Sequence, residues 1–157
     1  MKRRNSVRMP GYNYDEPGFY FITIVTKPRR YLFWTETTAV KNPQESLNRF
    51  GLILEETIFG AQNLYIAVEI LNFIVMPDHV HLLIKIENDG TSISQVVRWI
   101  KSRSSLMMRK IEPNLPIWQR SYYDHIVRNE RELEMCNSYI EENPNNWRIG
   151  KEEIDPF

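Results

Sequence analysis

Cysteine and histidine are scarce in this sequence of 157 residues, which contains one of the former and three of the latter. The single cysteine, Cys136, excludes an intrachain disulfide and a cysteine-rich zinc cluster, and it is typical of proteins that work in a reducing compartment. We therefore expect a cytoplasmic protein. The three histidines also argue against a hydrolytic zinc site built on several imidazoles, unless His125 or carboxylates complete the ligand set.

Long apolar runs and flexible linkers are missing as well. The most apolar stretch, residues 64–76, contains Glu69 and Asn72 and is shorter than the roughly 20 residues that a bilayer helix needs. The basic start at residues 2–4 is followed by polar residues rather than by the apolar segment of a secretory signal. The sequence thus predicts no membrane contact and one domain over residues 1–157, with residues 1–17 as a basic N-terminal segment.

Net charge is absent too, because 20 basic side chains balance 20 acidic ones. The charges are nevertheless segregated. Residues 1–30 and residues 98–128 each contain seven Lys or Arg against two carboxylates, whereas residues 129–157 contain eight carboxylates against three basic side chains. Binding of phosphate depends on local potential, so this distribution is compatible with a polyanionic partner, although a basic segment can equally be solvated surface.

The first half of the sequence predicts two strands and a helix. Residues 19–26 are β-branched and aromatic throughout and predict a strand, which we expect to be central. Asn42 can cap a helix whose apolar residues recur at helical spacing and which Gly60 can end. Residues 64–76 then predict a long strand that is apolar on both faces.

The second half predicts two further strands and two helices. Residues 79–86 alternate, with aliphatic side chains on one face and both histidines of this segment on the other. A capping box at Ser92 opens an amphipathic helix with Ile93, Val97, Ile100 and Met107 on its apolar side. A short strand is expected at residues 125–127, followed by a helix that runs from a capping box at Asn129 to Pro144.

This order, β-α-β-β-α-β with one additional C-terminal helix, is typical of the α+β class. It is the split β-α-β pattern of ferredoxin-like domains, in which helices cover one face of an antiparallel sheet. The aliphatic face of residues 79–86 is therefore expected to pack under helices. A fold of this kind does not by itself indicate a chemistry.

Two pairs of polar residues could carry chemistry. His79 and His81 are two apart on a strand and project to the same face, where both imidazoles can reach one metal ion. Tyr139 and Asn143 are four apart on a helix and share a face. Each pair also has an ordinary interpretation, since strand histidines are commonly solvent-facing and Tyr139 could be a half-buried core aromatic above a helix stop at Asn143.

Five segments in order resemble the single-tyrosine HUH transposases, and in particular the REP-associated tyrosine transposases. The segments are residues 11–14 (GYNY), 18–26 (GFYFITIVT), 76–84 (MPDHVHLLI), 117–125 (IWQRSYYDH) and 139–144 (YIEENP). The resemblance covers nearly the whole chain. It departs from the family after Pro144, where Asn145, Asn146 and Trp147 stand in place of a small basic segment.

The resemblance implies an enzyme that cleaves and rejoins single-stranded, hairpin-forming DNA. Tyr139 matches the nucleophile, which forms a 5′-phosphotyrosine and leaves a 3′-hydroxyl. His79, His81 and Asn143 match the ligands of a divalent ion, Mg²⁺ or Mn²⁺. The family fold places the tyrosine helix near the histidine-bearing face of the sheet, and relatives act as monomers or as homodimers.

Several further residues are candidates for a role at the DNA. Tyr122 and Tyr123 are rival nucleophiles by position alone, and His125 is expected to be structural rather than a phosphate contact. Phosphate contacts are expected from basic side chains of the second predicted helix, of the N-terminal segment and of the segment before the last strand. These are Arg3, Arg4, Arg98, Lys101, Arg103 and Arg120.

Two alternatives belong to other functional classes. The first is a domesticated, catalytically inactive relative that binds hairpin DNA, against which the presence of all four matched residues argues. The second is a metal-dependent hydrolase of small phosphoesters on the same fold. Such a hydrolase would trap no covalent protein–DNA species and would tolerate loss of the Tyr139 hydroxyl.

Overall fold

The computed structural model describes residues 16–35 and 46–148, and within them a four-stranded sheet packs against helices. The N-terminal arginines Arg3 and Arg4 and the predicted cap at Asn42 lie outside the described residues. The first helix is capped by Asn48 instead, whose side chain accepts from the backbone nitrogens of Phe50 and Gly51. In chain order the elements are β1 (Gly18–Val25), α1 (Arg49–Leu64), β2 (Val68–Val75), β3 (His79–Ile86), α2 (Ile93–Arg109), β4 (Tyr123–Val127) and α3 (Glu130–Arg148).

The sheet is antiparallel throughout, with strand order β2-β3-β1-β4. β1 lies between β3 and β4, so the expectation of a central first strand is confirmed. The element order and the sheet also confirm the predicted α+β class with an additional C-terminal helix. The last strand begins two residues earlier than predicted, at Tyr123.

The two faces of the sheet are covered by different helices. The even-numbered side chains of β3 belong to the main core together with Leu54 of α1 and Ile100 of α2. On the opposite face, Leu83 of β3 packs with Phe21 of β1 and Ile140 of α3. The alternation in β3 therefore separates α1 and α2 from the helix α3, which lies on the same face as the histidines.

Helix α1 differs from its prediction at its C-terminal end. It continues past Gly60 to Leu64, and Tyr65 is its C-cap, so β2 begins at Val68 rather than at residue 64. The glycine has a packing role instead, because a Cβ atom at Gly60 would lie 3.1 Å from the ring of Trp99 on α2. Close approach of two helices, rather than helix termination, accounts for this glycine.

Near the C-terminal end of α2, the buried residue lies one position later in the chain than the sequence predicts. Its capping box at Ser92 is confirmed, and Ile93, Val97 and Ile100 are buried. Met108 is buried where Met107 was expected, because the buried row continues from Ile100 through Ser104 in steps of four residues. Within the described residues, no helix has the length and apolarity that crossing a bilayer would require.

Helix α3 does not end at Pro144. The helix contains this proline and continues to Arg148. An interior proline removes one backbone hydrogen bond and costs about 3 kcal/mol, so packing of the residues beyond it must offset that cost. Trp147, which lies in this last turn, packs against the main core. The helix is therefore one turn longer than the sequence predicts, and the added turn carries an aromatic ring.

Candidate active site

His79 and His81 lie side by side on β3, and both side chains are completely buried. Their strand positions place the two imidazoles on the same face of the sheet, as the sequence predicts. The two Nε2 atoms are 3.1 Å apart. The ring planes are inclined at 72° with centroids separated by 4.6 Å, and the two Nε2 atoms face each other.

A carboxylate and an arginine orient His79. Nδ1 of His79 lies 2.6 Å from Oδ1 of Asp78, and Oδ2 of Asp78 accepts a hydrogen bond from Nε of Arg29 at 2.5 Å. Burial acts to raise the pKa of Asp78, but the hydrogen bonds and charges of His79 and Arg29 outweigh it and lower that pKa. An ionised carboxylate only accepts, so Nδ1 of His79 donates and its Nε2 carries the lone pair in the neutral ring.

A threonine and an aromatic ring fix His81. Oγ1 of Thr23, the cross-strand neighbour on β1, lies 2.8 Å from Nδ1 of His81. The Phe21 ring stacks on the imidazole at 5.3 Å between centroids. Burial, followed by the charge of His79, lowers the pKa of His81 well below its usual value. His81 is thus held as a neutral imidazole, which is the form that can bind a metal ion.

Helix α3 brings its polar and aromatic residues to this histidine pair. The Tyr139 ring lies 5.2 Å from the His81 ring, and the Trp147 ring lies 6.4 Å from the His79 ring. Asn143 is four residues from each of them and shares their stripe of the helix. The structure therefore brings the Tyr139 ring to His81 within a single chain, and Asn143 lies on the same side of α3 between Tyr139 and Trp147.

The site has the donors that a divalent ion requires. Two ligands at right angles, each about 2.1 Å from an ion, are about 3 Å apart, which matches the separation of the histidine Nε2 atoms. Asn143 is fully buried, and neither its Oδ1 nor its Nδ2 has a hydrogen-bond partner among the described residues. An amide oxygen without a partner is the kind of donor that would complete a two-imidazole site.

Carboxylates do not complete the cluster. In the described part of the chain, no group of three His, Cys, Asp or Glu side chains is placed to hold a metal ion. Asp78, the acidic residue next to the pair, is engaged with His79 and Arg29. The residues present therefore fit an ion with mixed nitrogen and oxygen ligands, for which Mn²⁺ is better suited than Mg²⁺.

The rival tyrosines are placed differently from Tyr139. The Tyr122 hydroxyl shares a hydrogen bond with Oγ of Ser94 on α2, and its ring packs against the main core on the face opposite the histidines. Tyr123 pairs with Thr23 on the histidine face and is therefore separated from His81 by β1. Among these three tyrosines, Tyr139 is the one whose ring contacts an imidazole of the pair.

His125 has the geometry of a structural residue. Its Nε2 lies 3.3 Å from Oε2 of Glu132, which also accepts a hydrogen bond from the backbone nitrogen of Arg128. Asn129 accepts from the Glu132 backbone nitrogen at the start of α3. These contacts join β4 to the beginning of α3 and thus help to set the position of Tyr139 two turns later.

The candidate DNA contacts of α2 lie on the sheet face opposite the histidines. Arg98, Arg103 and, in the following loop, Arg120 are exposed. Lys101 is engaged instead: its ammonium donates to the carbonyls of residues 119, 120 and 121 at 2.6, 3.2 and 3.2 Å. Burial lowers the pKa of this lysine. A role of these residues in binding phosphate remains a prediction.

Replacing Lys101 by Met is expected to destabilise the fold by about 1–3 kcal/mol, since the charged donor of three hydrogen bonds is lost. Urea unfolding monitored by circular dichroism measures this change. The exposed neighbour Arg98 provides the control, and Arg98→Met should change stability by less than about 0.5 kcal/mol. If Lys101→Met unfolds at the wild-type urea concentration but loses DNA affinity, the role of the lysine is to bind DNA rather than to stabilise the loop at residues 119–121.

Sequence reasoning missed the residues that support the site. The sequence gives Asp78 no role of its own, places Thr23 and Phe21 in a strand, and marks Trp147 as a departure from the family. A signal for Thr23 and Phe21 was available: both are odd-numbered residues of a central strand and therefore lie on one face of it. For Trp147 the sequence offers no signal, because Pro144 predicts that the helix ends before this residue.

Comparison with known proteins agrees with the fold. Residues 20–143 match the sequence model of a family described as IS200-like transposases. A Haemophilus influenzae protein whose name assigns no function is 31% identical, over 97% of this chain and 94% of its own length. A second protein of that organism, named as a candidate REP-associated tyrosine transposase, is 22% identical over 84% of this chain and 73% of its own length.

Among solved structures, that of a REP-associated tyrosine transposase bound to a REP hairpin is similar in fold. Its TM-score is 0.63, and the alignment covers 93% of this chain and 76% of that one at 20% sequence identity. At this level of identity the likeness concerns the fold, and it confirms the predicted arrangement of sheet and C-terminal helix.

Proposed function

Because this chain belongs to the family of IS200-like transposases, we propose that it cuts and rejoins single-stranded DNA through a covalent bond to Tyr139. One observation carries the proposal. The Tyr139 ring lies against His81, next to a buried histidine pair whose Nε2 atoms face each other at 3.1 Å. A phenol beside a site that fits a divalent ion is the arrangement that covalent transfer of a phosphodiester requires.

The proposed substrate is a single DNA strand that folds into a hairpin. This follows from the similarity of the fold to a transposase bound to a REP hairpin and from the clustered basic side chains of the sequence. Arg98, Arg103 and Arg120 are exposed and can contact phosphates, whereas the ammonium of Lys101 is held by carbonyl groups. Phosphate contacts position such a strand without selecting its sequence.

The proposed reaction is an in-line displacement at one phosphate. The Tyr139 oxygen forms a bond to phosphorus as it loses its proton, and the bond from phosphorus to the 3′ oxygen breaks. That oxygen takes up a proton and leaves as a 3′-hydroxyl, while the 5′ phosphate stays on the tyrosine. The phosphodiester energy is conserved in the new bond, so a 3′-hydroxyl can reverse the reaction without a nucleotide cofactor.

A divalent ion held by His79 Nε2, His81 Nε2 and Asn143 Oδ1 would supply Lewis-acid stabilisation of charge on the scissile phosphate. The protein supplies the orientation of these donors. Asp78 keeps the lone pair of His79 toward the site, and Oγ1 of Thr23 would do the same for His81 when it accepts from Nδ1. A free phenol has a pKa of about 10, so Tyr139 needs a site of this kind to attack at neutral pH.

The active site is proposed to form within one chain. Tyr139 and His81 are in ring contact without a second copy of the protein. A monomer would therefore suffice for a cleavage step, and a dimer would serve to bring two DNA ends together.

The proposal is tested by incubating the full chain and Mn²⁺ with a labelled single-stranded oligonucleotide. The oligonucleotide should carry the inverted repeats that flank the coding region. We expect a protein–DNA adduct that resists denaturation on a gel and does not form when EDTA is present. Binding of the hairpin without any adduct would instead indicate the inactive, DNA-binding alternative.

A further inference from the structure

The segment in which this chain departs from its family lies beside the histidine pair. Trp147, on the turn of α3 beyond Pro144, has its ring 6.4 Å from that of His79. The Tyr31 ring lies 5.3 Å from Trp147 at an interplanar angle of 76°. The three rings form a row that leads from a buried site residue to the surface.

Tyr31 is exposed despite its aromatic contact. In a core contact both rings are buried, but Tyr31 as a residue is 63% accessible to solvent. The edge-to-face arrangement with Trp147 leaves ring surface of Tyr31 uncovered. An exposed aromatic ring of this kind, next to a reaction site, has the shape and chemistry of a stacking surface.

The backbone holds Tyr31 close to the site. The nitrogen of the next residue, Leu32, donates to the carbonyl of Pro77 at 2.8 Å, immediately before Asp78. Arg29, on the same loop, is bound through its Nε to the Asp78 carboxylate. The loop between β1 and α1 is thereby joined to the two residues that precede β3, so Tyr31 is positioned relative to His79.

The same loop carries positive charge. Lys27 is exposed, and Arg29 retains 31% of its side-chain accessibility. Cationic groups around an exposed aromatic ring favour a polyanion with planar groups over an apolar peptide. The chemistry of the loop is therefore that of a single-stranded nucleic acid site.

We propose that Tyr31 and Trp147 form a stacking site for one unpaired base of the DNA strand, adjacent to the phosphate that reacts. This inference rests on the proposed function, because it is that function which places a phosphate at His79 and His81. Trp147 supports the exposed ring of Tyr31, and the exposed Lys27 of the same loop is the cation available to a neighbouring phosphate, because Arg29 is paired with Asp78. Stacking tolerates every base, so the site would hold the strand in place without reading its sequence.

The test measures coupling between Tyr31 and individual bases, that is, whether the loss of affinity on removing a base depends on the presence of Tyr31. The protein carries Tyr139→Phe to prevent cleavage, and Mn²⁺ is present. Oligonucleotides each lack one base in the unpaired flank of the hairpin, and their dissociation constants are measured. With Tyr31 present, one abasic position should weaken binding by roughly 5- to 150-fold. With Tyr31→Ala, the intact strand should bind as weakly as that abasic strand, and removal of the base should have no further effect.

Matched variants separate stacking from loss of structure. Tyr31→Phe should retain the coupling, whereas Tyr31→Leu, which keeps apolar bulk without an aromatic face, should abolish it. Phe59 is the control, because it is also half exposed and makes an edge-to-face contact with Phe73 at 5.4 Å, on the α1 side of the sheet. Phe59→Ala should bind every oligonucleotide as the reference protein does.

The outcomes distinguish this inference from the proposed function. If the wild-type protein forms the covalent adduct but no abasic position couples to Tyr31, the stacking site is wrong and the transposase activity stands. If coupling is found and no adduct forms, the stacking site stands and the proposed activity is wrong. Coupling that persists in Tyr31→Leu would also overturn the inference, because an aromatic face would then be unnecessary.

Discussion

Replacing Tyr139 by phenylalanine is expected to lower formation of the covalent adduct by at least about 10⁴-fold, as removal of a nucleophile does in other enzymes. The phenylalanine ring keeps the packing of Tyr139 against His81 and Phe21, whose ring centroids lie 5.2 and 6.0 Å away. Folding and hairpin affinity should therefore stay at wild-type values. Adduct formation is measured on denaturing gels and affinity by fluorescence anisotropy.

The matched controls are the two rival tyrosines. Tyr122→Phe removes the hydroxyl that bonds to Ser94 on the far face of the sheet, and Tyr123→Phe removes one that is separated from His81 by β1. Both variants should form the adduct at close to the wild-type rate. An adduct that persists in Tyr139→Phe and disappears in one of these controls would transfer the nucleophile to that residue.

His81→Ala is expected to lower cleavage by about 10³-fold or more, because a lost metal ligand removes several kcal/mol of charge stabilisation at the phosphate. Hairpin affinity should be largely retained. The variant should also lose affinity for Mn²⁺, measured by isothermal calorimetry in the absence of DNA. These two readouts separate a loss of metal binding from a loss of DNA binding.

Burial of His81 requires a second variant. The side chain is completely inaccessible, and alanine leaves a cavity beside Phe21 and Thr23. His81→Gln keeps most of the volume and a polar group, and it should show the same loss of cleavage with better stability. Equal loss of hairpin binding and of cleavage in a folded His81→Gln protein would indicate that the histidines serve binding rather than chemistry.

The variants His81→Ala and Tyr139→Phe together test whether the site is formed within one chain. A mixture of His81→Ala and Tyr139→Phe proteins contains an intact histidine pair in one chain and an intact tyrosine in the other. If each site uses residues of a single chain, the mixture should remain inactive. Recovery of cleavage would show that two chains share a site.

The sheet and the position of the histidines could be predicted because they depend on local patterns. Alternation in residues 79–86 determines which side chains of β3 face α3, and the β-branched run of β1 places it at the centre. Period-two patterning is sufficient for such assignments, since one face of each strand must be buried.

The ends of the helices could not be predicted in the same way. Gly60 and Pro144 are ordinary stop signals in a sequence, but Trp99 packs on the first and Trp147 lies beyond the second. In each case a contact between residues far apart in the chain outweighs a local preference. The same limitation conceals the role of Lys101, whose carbonyl partners lie 18 to 20 residues away.

The candidate site could be proposed from the sequence as a set of residues, and only the family resemblance implied that the tyrosine helix lies near the histidines. Spacing indicates that His79 and His81 share a face and that Tyr139 and Asn143 share a helix stripe, yet it does not place the stripe over the strand. The polar contacts that orient the imidazoles, from Asp78 and Thr23, depend on side-chain geometry that only the folded chain provides.

The most direct test of the central claim is identification of the residue that carries the DNA. The adduct is digested with nuclease and trypsin, and the modified peptide is found by mass spectrometry. Cleavage by trypsin yields a peptide 132–148 in which Tyr139 is the sole tyrosine, and a separate peptide 121–128 that contains both Tyr122 and Tyr123. We predict a 5′-phosphonucleotide on the peptide 132–148. The same modification on the peptide 121–128 would contradict the account.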